Sequence, residues 1–142
     1  MSDAGKTGAD EATVQAVLAS YARCREQGGF IKSFYQQLWA RDPGIQQRFR
    51  NTDMARQEAI MREAINMLLM YAGGSVVARM GLDRIAVVHD RQHHAVPTEL
   101  YALFTEVLID TARAWDSRWE PGLEQQWRVV LRPGLEYMNA RY

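Results

Sequence analysis

Three histidines, His89, His93 and His94, lie close together in the stretch GLDRIAVVHDRQHHAVPTELY, which runs from Gly81 to Tyr101. His89 has the surroundings best suited to chemistry. It closes a short amphipathic run in which Ile85 stands one helical turn earlier. An imidazole there can turn one nitrogen away from its own backbone and offer it to a metal, provided an apolar cleft stands opposite. Its other nitrogen would donate to a carbonyl or carboxylate, fixing the tautomer and the ring orientation. A single histidine on a helix is more often structural or solvated than a ligand. His93 is one turn further on, but Pro97 follows so soon that His93 falls in the corner after the helix.

The remaining chain supplies the elements that could wall such a cleft. Asp10 is placed to cap a helix with Glu11 in its first turn, and Val14, Val17, Leu18 and Tyr21 recur at helical spacing until Gly28-Gly29. Phe30, Ile31, Phe34, Tyr35 and Leu38 make the stripe of a second helix, with Trp39 beside it. Asp42-Pro43 ends it and opens a short helix from Pro43 to Arg48, leading to Phe49. Thr52 or Asp53 caps a longer helix, with Gln57, Met61, Ala64, Ile65 and Leu68 on one face and Gly73-Gly74 at its close.

Residues Ser75 to Met80 are ambiguous, and Gly81 precedes a short helix ending near His89. Pro97 opens a helix carrying Leu100, Tyr101, Phe104, Val107, Leu108, Thr111 and Trp115. After Glu120-Pro121-Gly122, the last helix carries Leu123, Trp127, Val130, Leu131, Leu135 and Met138, and Pro133 is predicted to kink or break it. No two-residue strand alternation persists. The expected class is all-α: seven or eight helices, two of them short, in one domain after a flexible lead-in over residues 1–9.

Composition narrows the function. A chain of 142 residues is about one domain and can bury a core without disulfides. Seventeen basic side chains balance seventeen acidic ones, so no charge field draws in nucleic acid. Cys24 is the only cysteine, which excludes an internal disulfide or a thiolate cluster and suits a reducing cytoplasm. The polar opening MSDAGKTGAD lacks the apolar core of a signal peptide. No apolar run approaches the roughly 20 residues a membrane helix needs. The expectation is a cytoplasmic protein with no membrane or nucleic-acid partner.

Four segments together resemble a known family: FYQQLWARDPGIQQRF at 34–49, NTDMARQ at 51–57, the His89 stretch, and EQQWRVVLRPGLEYM at 124–138. From about Val14 to Tyr142 the chain resembles the globins, and more closely the single-domain bacterial globins related to the haem domain of flavohaemoglobins. The resemblance implies a globin domain over residues 10–142 with a haem b pocket. It implies that Tyr35 faces a bound gas, Phe49 wedges the haem, Gln57 lies over the iron, and His89 ligates it. The intervals, 14 residues from Tyr35 to Phe49 and 32 from Gln57 to His89, match the flavohaemoglobin-like pattern.

The same resemblance places Met61 against the gas. Ile85, Val88, Val96 and Phe104 (or Leu100) become proximal walls, and His93, Arg84 or Arg91 could reach a haem propionate if they are not simply solvated. Tyr101 takes the place of a tyrosine that buttresses the proximal histidine in flavohaemoglobins. The glutamate that joins it there has no match, since Glu124 and Glu136 are out of line. Trp39, Trp115, Trp119 and Trp127 read as core or interface aromatics, and Tyr137 and Tyr142 have no assigned role.

A tyrosine hydroxyl and a glutamine amide can both donate to a polarised gas such as O2, more than to CO. Hydrogen bonds to charged acceptors contribute about 1.5–3 kcal/mol. At about 1.4 kcal/mol per tenfold, the pair would slow O2 release by one to a few orders of magnitude. Such a pocket suits oxidising NO to nitrate, or sensing O2, better than oxygen transport. With the sequence ending at Tyr142, turnover would need a separate reductase. The alternative is a non-enzymatic O2 or NO sensor or store, acting through a partner or as a homodimer, with a monomer equally open. A globin-fold module without haem is the third possibility.

Overall fold

The computed structural model describes residues 9–91 and 98–140, with side chains at all of these except 86–91 and 98. Short acidic side chains start the helices where the sequence places them. Asp10 caps α1 (Glu11–Cys24) by accepting from the Thr13 amide at 2.8 Å. Asp42 caps α3 (Pro43–Arg48) through the Gly44 amide at 3.0 Å. Asp53 caps α4 (Met54–Ala72) through the amides of Ala55 and Arg56. Each fills donors that a first turn leaves unsatisfied. Between α1 and α2 (Phe30–Arg41) the chain turns through Gly28 and Gly29 at φ 73° and 95°, which glycine adopts freely.

Three further helices, α5 (Val76–Arg91), α6 (Thr98–Trp115) and α7 (Leu123–Ala140), complete the described residues, which hold seven helices and no strand. Only α3 is short. The second short helix expected before His89 is instead part of α5, which begins at Val76 and runs through Gly81. Ser75 explains the start, since its hydroxyl accepts from the Ala78 amide at 3.1 Å. Packing explains the glycine. A Cβ on Gly81 would stand 2.3 Å from Met67 Sδ on α4, so its absence lets the two helices close.

The last helix also runs through Pro133 rather than breaking there. Proline inside a helix costs about 3 kcal/mol, but Val130, Leu131, Gly134 and Met138 are all buried around it. Gly134 admits α4 closely, for a Cβ there would lie 2.6 Å from Leu68 Cδ2. At the other end Ala9, assigned above to a lead-in, is buried in the core, because it packs with the first helix it precedes. Residues 1–8 lie outside the described residues.

Inward faces follow the predicted stripes. Val17, Tyr21, Phe30, Phe34, Ile65, Leu69, Leu108, Trp127 and Leu131 are fully buried. The long helix α4 lies between α5 and α7, α1 rests on α7, and α2 packs against α6. Tyr21 ties α1 to α4 by donating to the Arg62 carbonyl at 3.0 Å, its ring edge-on to Phe30 and Trp127. No described helix is long and apolar enough to cross a membrane.

Candidate functional site

Tyr35 stands on the inner face of α2, one residue after Phe34, and is 2% exposed. Gln57 follows the Asp53 cap in the first turn of α4, which aims its side chain at α2. Its amide nitrogen Nε2 donates to the Tyr35 hydroxyl at 3.0 Å. The phenol thus serves as acceptor in that bond, and its own proton meets no acceptor among the described residues. Buried donors nearly always find a partner, so a hydroxyl proton with none among the described residues is an exception in this core. Burial pushes the phenol up to about 12, against a lowering by the Gln57 hydrogen bond. The group therefore stays a neutral donor throughout the physiological range.

Aromatic rings enclose this pair. Trp39 lies 5.2 Å from Tyr35 and 5.1 Å from Phe49, centroid to centroid. Phe49, delivered by the end of α3, is 5.8 Å from Tyr35. Phe34 reaches across to Phe104 on α6 at 5.5 Å. Neither a family model nor a curated relative matches the chain. A solved structure does. The crystal structure of a Pseudomonas aeruginosa PAO1 protein, described as structurally highly homologous to a human hemoglobin, matches with a TM-score of 0.83 and 29% identity. The match covers 92% of this chain and 98% of that one. The chain is a globin by fold.

In this globin the residues expected around a haem fall into two groups. Tyr35, Phe49 and Gln57 come together as described, and Met61, one turn beyond Gln57, is partly buried against the same core. Ile85, Tyr101 and Phe104 are partly buried too. His89 and Val88 lie in the last turns of α5, where their side chains are outside the described residues, as are His93 and Val96 altogether. By helical register, position 89 continues the line through Leu82, which is fully buried, and Ile85. Arg84 is exposed. Glu124 is held at the surface by Arg113 and Arg128, and Glu136 is exposed, so neither joins the site.

Haem is a large apolar disc held in globins through one imidazole, and these residues suit it. The wall is aromatic and aliphatic, and in the buried Tyr35–Gln57 pair the phenol proton has no acceptor among the described residues. Among the described residues no three His, Cys, Asp or Glu side chains gather as a metal site, but porphyrin brings its own four nitrogens.

Two polar contacts escaped the sequence reading. Asp116, just past α6, is buried against Ser20, Arg23 and Trp127 from α1 and α7. Tyr137 on α7 bonds Asp83 on α5. Their partners lie far apart in sequence, and no local pattern announces them.

Proposed function

We propose that this globin holds haem b between α4 and α5, with His89 as the ligand to its iron, and binds O2 beneath Tyr35 and Gln57. Haem supplies an iron that binds the gas and can exchange an electron with it. The chain supplies the rest. Gln57 donates to the Tyr35 oxygen, which orients the phenol so that its proton faces the gas. Phe49, Trp39, Met61 and Phe104 keep water away, so that this hydrogen bond acts in a low-dielectric space. The supporting observation is the buried Tyr35 hydroxyl, which accepts from Gln57 and has its proton unclaimed among the described residues.

The finer reading is NO dioxygenation. A pocket that releases O2 slowly keeps it in place until NO arrives, and the product is nitrate. Each further cycle needs an electron from a separate reductase. Adding haem to the purified chain and recording the visible spectrum tests the first part, and absence of a Soret band would sink it. Repeated NO consumption with a reductase tests the second. A single turnover that then stops would leave a globin that stores or senses its gas.

A further inference from the structure

Position 89 is carried by α5, and among the polar contacts of that helix is one that reaches it from α7. Tyr137 on α7 donates its hydroxyl proton to Asp83 Oδ1, and a bond to a carboxylate is stronger than one between neutral groups. The Tyr137 ring is tilted against Tyr71 on α4, with centroids 5.2 Å apart. These three residues connect α4, which bears Gln57, through α7 to α5.

Glycines bracket the link. Gly81 admits Met67 of α4, and Gly134 of α7 faces Leu68 and Leu82. Such close contacts fix how near the helices stand but say little about rotation, because a bare backbone offers no directional partner. A hydroxyl–carboxylate bond is directional. Asp83 lies one residue past Leu82 and two past Gly81, so holding its carboxylate sets the roll of α5 about its own axis. A roll of about 10° carries an atom about 6 Å from the axis through roughly 1 Å. Displacements of that size matter at a ligand site.

We propose that Tyr137 is a positioning residue, which fixes the roll of α5 through Asp83 and thereby where position 89 presents its imidazole. The part concerning the imidazole rests on the haem reading above; the hold on α5 does not.

Tyr137→Phe and Asp83→Ala each remove the bond by a different route, and Asp83→Asn keeps an acceptor for the hydroxyl. Amide hydrogen exchange in the haem-free chain should quicken over 76–91 in Tyr137→Phe and Asp83→Ala, roughly tenfold for a lost bond at about 1.4 kcal/mol per tenfold. Exchange in α1 should hold steady, and Asp83→Asn should stay near the parent. In the haem-loaded ferrous form, the iron–histidine stretching band should shift or broaden in Tyr137→Phe. Exchange that rises evenly in every helix, with the band unmoved, would overturn the proposal and leave an ordinary stabilising contact. Local loosening of α5 in a chain that takes up no haem would instead overturn the haem reading and keep the hold on α5.

Discussion

At the end of the molecule where α1, α6 and α7 meet, Asp116 is buried with both oxygens in use. Oδ2 accepts from Ser20 Oγ at 2.7 Å and from Arg23 Nη2 at 2.9 Å. Oδ1 accepts from Arg23 Nε and from the Arg118 amide. Ser20 in turn accepts from Trp127 Nε1 at 3.1 Å. Beside Gln57, by contrast, Tyr35 is equally shielded from water, yet its proton has no acceptor among the described residues. The first cluster spends both carboxylate oxygens on the protein and so contributes to stability. The second leaves that proton unspent, which is the arrangement a binding site needs.

The widest separation between the two should come from Asp116→Ala. Removing one partner of a buried ion pair costs about 3 kcal/mol, and for a chain of this size that lowers the melting temperature by roughly 10 °C. Calorimetry should find that loss, while the O2 dissociation rate of the folded variant stays at the parent value. The acid limb belongs to the same cluster. Burial pushes the Asp116 carboxyl up, but Arg23, Ser20 and the Arg118 amide outweigh it and hold the group below its ordinary value of 3.8. Its contribution is therefore full above that value and is lost as pH falls through the lowered one.

Tyr35→Phe should do the reverse. It removes a hydroxyl that among the described residues satisfies only the Gln57 amide, so stability should change little. O2 release should quicken tenfold or more, as expected from losing about 1.5–3 kcal/mol at about 1.4 kcal/mol per tenfold. Stopped-flow displacement of O2 measures this directly. If Tyr35→Phe melted as early as Asp116→Ala with an unchanged O2 rate, the distinction between closed and open clusters would fail. A smaller effect, a few-fold at about 0.5–1.5 kcal/mol, is expected for Gln57→Leu, which leaves the Tyr35 proton in place but frees the phenol to turn.

The two clusters also differ in how far sequence reveals them. Caps and stripes are local, so Asp10, Asp42 and Asp53 appear at the starts of α1, α3 and α4 as read from the chain. Only the resemblance to a family pattern singles out Tyr35 and Gln57 together; periodicity alone makes one a core residue and the other a surface residue. Asp116 sits 96 residues from Ser20 and Tyr137 54 from Asp83, distances over which no local rule operates. Gly81 misled for a related reason. Within one segment a glycine signals weakness, whereas its role here depends on Met67 of another helix.

The smallest expected effect is the most discriminating, because it is a flat line. Burial pushes Tyr35, Tyr21 and Cys24 each up to about 12, from ordinary values of 10.0, 10.0 and 9.0. In the unfolded chain these groups ionise first, so the native state holds more protons and folding stability must fall as pH rises from about 9 towards 12. In the proposed function oxygen release depends on Tyr35 alone among the three, and in the folded state its proton stays in place over most of that range. The O2 dissociation rate should therefore be level from pH 7 to 10 even while the melting temperature is already declining. A rate that climbed with a midpoint near 10 would mean the phenol titrates as it does in water, and the cleft would then be as wet as the surface.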